Sequence, residues 1–565
     1  MIDIHDFFDI DENGIPVKKP INRNAFTKED VAYKIKVIKA MQDLGMEITI
    51  DAIGNICGTF PGKLRTDKSN IAGSHTDSVD NGGQFDGPLG VYAALKATEN
   101  LVKNGKNKTN LINHKVIVYA CEESTRFQGK ACLGSKFLRG DNLDFDNIKS
   151  REGLSLRECV AEFKAELFKQ AKEAGLKPIK EVDKVIQPDE IVTAIEGHIE
   201  QADTLKDSGK SIGICTSITG PYRLKTTDVT TDIKTAAKFV CSLNESARNP
   251  ENFTNFRITV PKFSFESKTK EKDLKGKKVF TIRAVGEQNH SGSTPMEKRK
   301  DPVYGAAKFI ELVSNHPDIE VLETYTPKCG FNQINKYCDI KLAIDEKEFG
   351  QNISHFLLAQ RTAGQIANIT FEDRDDIIKE PFKDPENPTD DEKPGLYIDI
   401  RQQIGMEPEL TSDMIFDCVK DIVHTTKSSV RMNVTSKGKA YRTNSDLVDS
   451  AVEICKENNI PYEVLASWAG HDSATLTHDE LARIILIFCA SSGGSHNPDE
   501  TTTLDSIEKL VEVISSLSER ELNRANELYL KQDYQILRQQ LVQLEKLSCQ
   551  LNIPVNDHLA SEKEF

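Results

Sequence analysis

The sequence predicts an α/β protein in two parts: an α/β domain with a largely parallel sheet, interrupted by an α+β domain and resumed near the C-terminus. Three observations predict it. Short apolar runs alternate with amphipathic stretches through the first half of the chain. From about Gly220 to Lys439 the texture changes to strand-like runs broken by charged turns. After about Ala440 the first texture returns. The expected boundaries are 1–217 and 441–520 for the two pieces of the α/β domain, 218–440 for the insertion, and 521–565 for a helical extension.

Each element has its own warrant. "DVAYKIKVIKAMQDLG" (30–45) has helical spacing and stops at Gly45. "MEITID" alternates as a strand, and "DAIGNICGTFPG" turns and continues it. "NIAGSH" reads as a short buried strand, "GPLGVYAALKATENLVKNG" as a helix closed by glycine, and "HKVIVYA" (114–120) as a second buried strand ending at "CEES". In the middle section, "FRITVPKFSF", "KVFTIRAVG" and "LYIDIR" read as strands. The charge-rich segments 266–278 and 380–395 read as surface elaborations. "TAAKFVCSL" near 235 faintly echoes "GAAKFIELV" near 305. Near the C-terminus, Leu537, Leu541, Leu544, Leu547 and Leu551 fall on one helical stripe.

Composition excludes several classes. The 565 residues carry 73 Lys and Arg against 88 Asp and Glu, a formal charge of −15, which argues against nucleic acid or an anionic membrane surface as partner. No run of about 18 apolar residues suggests a membrane span. The acidic start, "MIDIHDFFDIDENG", lacks the features of a secretory signal. Twelve cysteines are scattered without a Cys-x-x-Cys pair, several inside apolar runs. Buried thiols of a reducing compartment explain this pattern, so a cytoplasmic protein is expected.

The polar residues that could do chemistry sit where predicted strands stop. His75 ends "IAGS", Glu122 and Glu123 follow "VIVYAC", and His496 follows "ILIFCASSGGS". In open α/β sheets, ligands gather outside the carboxyl ends of the strands. Any one of these signals alone is best read as solvated surface. Together they make a two-metal set, because paired divalent ions need a bridging carboxylate with further imidazole and carboxylate ligands on each side. The glycines around Asp86 would let the chain turn back beside His75.

Six ordered motifs carry a family resemblance: "GSHTDSVDNGGQFDGPLGV", "EESTRFQGKACLGS", "EGHIEQADTL", "NHSGSTPMEKRKDPVYGAAKFI", "SWAGHDSATL" and "GGSHNPDETT". They resemble the metal-dependent M20-type amidases of the hydantoinase/carbamoylase family, which holds N-carbamoyl-L-amino acid hydrolases, β-ureidopropionases and allantoate amidohydrolases. The resemblance implies a metallopeptidase-like fold, an α/β catalytic domain interrupted by a lid and dimerisation domain, here enlarged. It implies two divalent ions (zinc, manganese, cobalt or nickel) and a homodimer acting on a small ureido substrate.

The resemblance also implies roles. Asp86 would bridge two ions, one shared with His75 and His198, the other with Glu123 and His496. Glu122 would be the general base and Asp77 the aspartate behind His75. Gln201 would lie near substrate, and His290 would stabilise the oxyanion, commonly from a neighbouring subunit. Arg401 would grip the substrate carboxylate, a role suited to a planar guanidinium. Asn332 and Asn387 compete for the substrate-binding asparagine, and His471 would shape the pocket. Trp468, the sole tryptophan, stands where the family usually has glycine and is expected to reshape a pocket wall. The expected reaction is hydrolysis of an N-carbamoyl amino acid or related ureido acid, releasing ammonia and carbon dioxide. An aminoacylase or dipeptidase of the same fold is the alternative within enzymes, and a non-catalytic binding homologue the alternative outside them.

Overall fold

A computed structural model describes residues 1–551 except 65, 128–129, 221, 227–231, 249–255, 268, 270–273, 315, 328–332, 346–348, 375–394, 403–431, 438–439 and 477–482. Asn332, Asn387 and most of the 380–395 elaboration lie outside the described residues.

Two sheets organise the described chain. In the first, of ten strands, the strand Ser69–His75 is central, flanked by Asn113–Tyr119 and Ile191–Ile199. Both flanking strands run parallel to it, and Ile484–Cys489 runs parallel to Ile191–Ile199. Every residue of Ser69–His75 is buried, as expected of a parallel strand covered on both faces. The margins depart from the parallel expectation. Glu47–Ile50 and Ile56–Phe60 form an antiparallel hairpin, because the Asp51 carboxylate accepts the amides of Ile53, Gly54 and Asn55 and folds the five-residue turn back. Ile212–Ile218 is likewise antiparallel to Ile484–Cys489.

Helices cover the sheet. Lys28–Asp43 is capped by the Thr27 hydroxyl, which accepts from the Asp30 amide, and it buries Val31, Val37, Ile38 and Met41. Pro88–Lys103 approaches the strand Ile191–Ile199 so closely that a Cβ on Gly90 would lie 1.9 Å from the Gly197 carbonyl oxygen. Only glycine permits that approach. The last helix runs unbroken from Leu504 to Leu551, burying Leu510, Val513, Ile514 and Leu517 in the main core and Leu522 and Ala525 in a smaller one. The segment set apart in the sequence as an extension from 521 is therefore, as far as 551, a continuation of this helix. Its hydrogen-bond ladder crosses the expected boundary without a cap.

The second sheet has eight strands, all antiparallel, between Tyr222 and Lys437. The chain leaves the first sheet after Ile218 and returns at Tyr441, whose short strand pairs with the one just left. The echoing stretches become two helices, Ile233–Arg248 and Pro302–Val313, packed side by side in one apolar core.

Candidate active site

The four parallel strands end on one edge of the first sheet, and their ends bring the polar residues together. His75 is the last residue of its strand and His198 the penultimate residue of its own. Glu122 and Glu123 follow Tyr119, where Cys121 adopts φ +54° and turns the chain. His496 stands in a loop with Gly493 and Gly494, all three at positive φ. Asp86 lies just before the helix Pro88–Lys103. Gly87 at its N-cap has φ +86°, and a Cβ there would sit 2.4 Å from the His75 ring. The rarely adopted backbone at Cys121, Cys132, Gln201 and His496 gathers around this one edge.

The donor atoms form two triads sharing Asp86: His75, Asp86 and His198; and Asp86, Glu123 and His496, the ligand atoms of each lying within 4.8 Å of one another. Asp86 Oδ1 lies 3.2 Å from His198 Nε2 and 3.6 Å from His75 Nε2. Its Oδ2 lies 3.6 Å from His496 Nε2, which is 3.0 Å from Glu123 Oε1. All five side chains are buried.

Hydrogen bonding tests whether this set suits a cation. His75 Nδ1 faces the Asp77 carbonyl at 3.0 Å and His198 Nδ1 the Ile199 carbonyl at 2.9 Å. A carbonyl only accepts, so both rings carry their proton on Nδ1 and present Nε2 lone pairs, 3.4 Å apart. Asp86 Oδ1 is buried among them with no hydrogen-bond partner. Lone pairs so crowded repel unless a positive charge lies between them. A proton can also supply that charge, and the two rings differ in how readily they take it. On His75 burial prevails and pushes it down to about 4. On His198 burial opposes charge, but Asp86 outweighs it and lifts the ring to about 9. The residues fit a metal, and nitrogen with carboxylate oxygen is the donor chemistry of zinc-like ions.

Around this set, Asp77 accepts the amides of Glu122 and Glu123 at 3.1 and 3.0 Å. Its carboxylate stands 3.8 Å from His75 Nδ1, and its carbonyl takes the ring proton instead. Glu122 accepts from the Cys132 thiol at 3.3 Å. Burial, together with the charges of Glu123, Asp472, Asp77 and Asp86, holds its carboxyl well above the usual range. Three residues that the sequence reading missed complete the support. Ser495 donates to Asp86 Oδ2, and Glu500 accepts the amides of Phe85 and Asp86. The Ser293 amide donates to His290 Nδ1 at 2.9 Å, and the Ser293 hydroxyl lies 2.8 Å from the same nitrogen. Ser495 and Glu500 stand inside "GGSHNPDETT", and Ser293 inside "NHSGSTPM", so their proximity to the site was visible but their task was not.

A cavity of about 210 Å³ opens beside the cluster, lined among others by Glu122, Glu123, His198, His290, Arg401 and His496. His290 lines this cavity, its ring 4.7 Å from that of His496. Because Nδ1 accepts from Ser293, the His290 proton is on Nε2. Gln201 lines the cavity, but its amide donates to Asp86 Oδ2 at 2.9 Å. Arg401 lines it too, with Nε and Nη2 on the Asp399 carboxylate (3.1 and 3.2 Å) and Nη1 on the Trp468 carbonyl (2.9 Å). His471 is a cavity wall held by the Ser467 hydroxyl at 2.9 Å. The Trp468 indole lies outside the cavity lining and instead takes the face of the Arg257 guanidinium, 4.1 Å away.

The second sheet thus latches onto the first. Besides Arg401 and Arg257 on Trp468, Gln288 donates to the His496 carbonyl (2.9 Å) and Asn497 donates to the Gln288 carbonyl (3.2 Å). Arg257 also donates to the Ser293 carbonyl at 2.6 Å, fixing the loop that carries His290.

The profile of peptidase family M20/M25/M40 matches residues 71–520. The chain is 24% identical over 511 residues to an N-carbamoyl-L-amino-acid amidohydrolase of Pseudomonas sp. (strain NS671), spanning 88% of this chain and 92% of that protein. It is 26% identical over 486 residues to allantoate deiminase 1 of Glycine max, spanning 82% and 77% respectively. It is 31% identical over 207 residues to a ureidoglycolate hydrolase of Oryza sativa subsp. japonica, spanning 36% and 40%.

Proposed function

Since the chain belongs to peptidase family M20/M25/M40, we propose that it is a metal-dependent amidohydrolase cleaving the ureido C–N bond of an N-carbamoyl amino acid or a related ureido acid. The observation that carries this reading is the position of Asp86, one carboxylate oxygen facing His75 and His198 and the other facing His496 beside Glu123. That arrangement supports two divalent ions bridged by Asp86. Relatives named for N-carbamoyl amino acids, allantoate and ureidoglycolate support a ureido substrate.

His75, His198, Asp86, Glu123 and His496 would hold the ions, which supply Lewis-acid polarisation of a carbonyl and a water acidic enough to react near neutral pH. Glu122 takes a proton from the attacking water. Its raised affinity for protons suits that task and the next, delivery of the proton to the departing nitrogen. His290 donates from Nε2 to the oxygen that gains charge, and Ser293 keeps it in the tautomer that can. The N–H groups that Arg401 does not spend on Asp399 and Trp468 orient the substrate carboxylate. Asp77 sets the backbone of Glu122 and Glu123 rather than the His75 ring alone. Loss of ammonia leaves a carbamate, which decays to amine and carbon dioxide. Residues 218–440 act in this reading as a lid, and the molecule as a homodimer. Exposed Leu357, Leu358 and Ile366 on the helix Phe349–Ala367 support the dimer, which sedimentation equilibrium reads directly.

The test is ammonia release from N-carbamoyl-L-amino acids, N-carbamoyl-β-alanine and allantoate, with added zinc, manganese, cobalt or nickel and a chelator control. Release from at least one substrate, abolished by the chelator, is expected. Hydrolysis of N-acetyl amino acids alone would replace the ureido reading with an aminoacylase one. Absence of both activities and of metal binding would make the protein a binding homologue.

A further inference from the structure

One wall of the cavity is built by the short helix Leu133–Arg139 and the residues beside it, and its chemistry differs from that of the metal-ligand wall. Lys136, Arg139 and Arg223 all line the cavity there. Arg139 is matched by Asp141, through Nε to Oδ1 at 2.8 Å and Nη2 to Oδ2 at 2.5 Å. Arg223 Nε lies 3.6 Å from the Asp399 carboxylate, which Arg401 also holds. Lys136 is different. Its half-buried ammonium donates to the Ala131 carbonyl at 2.7 Å, and among the described residues no carboxylate lies within ion-pair distance of it. Burial, with the charges of Arg223 and Arg139 added and Cys132 and Asp141 opposing, pushes it below the ordinary lysine range. A cation in that position gains most from an anion delivered by the cavity's occupant. The same wall carries Cys132, whose thiol touches Glu122, so the ammonium stands on the side of the cavity next to the candidate base.

We propose that Lys136 is a specificity-determining residue that receives a second anionic group of the substrate, so that the preferred substrates are ureido acids bearing a carboxylate on the side chain as well as on the α-carbon. This rests on the ureido reading above and divides the work between two sites. Arg401 meets the α-carboxylate from the lid, and Lys136 meets the side-chain carboxylate from the sheet edge. Asp141 and Asp399 fix the neighbouring guanidinium groups in place, so the pocket is formed before substrate arrives.

The experiment compares kcat/KM for N-carbamoyl-L-aspartate and N-carbamoyl-L-glutamate with that for N-carbamoyl-L-leucine and N-carbamoyl-L-alanine. It uses the metal-loaded wild type, Lys136→Gln and Lys136→Arg, with N-acetyl-L-aspartate and N-acetyl-L-leucine as a parallel series. Wild type should favour the acidic member of each pair by about tenfold or more, the value of one charged hydrogen bond. The acidic-to-neutral ratio should collapse in Lys136→Gln, mainly through KM, and persist in Lys136→Arg, which also controls for folding. Equal use of neutral substrates, or a ratio that survives Lys136→Gln, overturns the proposal. If only the acetyl series turns over and the ratio still depends on Lys136, the ureido reading fails while the anion subsite stands. Turnover of neither series overturns both.

Discussion

Glu122 illustrates how a residue's task depends on partners remote in sequence. Glu122 hangs from an amide held by Asp77, 45 residues earlier, and touches the Cys132 thiol. Replacing Glu122 with Gln keeps the shape and removes the proposed base. Turnover should fall by about 10²- to 10⁴-fold while bound metal, read by elemental analysis, stays at the wild-type level. Retained activity would move the base elsewhere. At this scale the sequence was most legible where a polar residue ends an apolar run, as at His75, Glu122 and Glu123, because burial and chemistry then collide in one short window. It was least legible for Gln201 and Arg401. Their partners, Asp86 and the Trp468 carbonyl, lie 115 and 67 residues away, and no local pattern announces either contact. Trp468 shows the same limit: its size was plain, but its position against Arg257 depends on the packing of one sheet on the other.

Among elements, the turn into the helix Pro88–Lys103 is the most constrained. Gly87 has φ +86°, and an added Cβ would press on the His75 imidazole. Gly87→Ala should therefore weaken metal binding beyond its effect on folding, because the strained backbone and the clash both displace a residue of the cluster. Metal titration beside a thermal melt distinguishes the two: a lowered Tm with unchanged metal affinity would show that the turn matters only to stability. The buried parallel strands were legible as apolar runs because both of their faces are covered. The antiparallel margins were not, since pairing direction is set by the Asp51 turn and by strands far along the chain. The tail was legible as helix from its leucine stripe, whereas its continuity with the helix that begins at Leu504 was not, since no local pattern shows whether a backbone ladder runs on.

The whole molecule carries a pH dependence of stability through His114, on a core strand away from the metal cluster. Its Nε2 lies 3.0 Å from the Thr98 hydroxyl, whose own proton goes to the Ala94 carbonyl, so Nε2 donates and Nδ1 is left without a partner. Burial pushes His114 down to about 4 from 6.5. Above pH 6.5 both folded and unfolded forms are neutral at this residue. As pH falls from 6.5 toward 4 the unfolded chain gains a proton that the folded chain refuses, and stability declines by up to about 3 kcal/mol. Urea midpoints at pH 7.5 and 5.0 should separate in the wild type and draw closer in His114→Gln. An unchanged separation would assign the slope to other groups. At the same scale, the fold division was legible as a change of texture, whereas the latch joining the two sheets was not. The Arg401, Arg257, Gln288 and Asn497 contacts have a temporal consequence. If the second domain acts as the proposed lid, its contacts must loosen for it to move, and such motions are slow beside proton transfer. Solvent friction would then set the pace of the cycle, so kcat should fall in proportion to relative viscosity in sucrose. A kcat indifferent to sucrose would mean that the latch opens faster than the bond is broken.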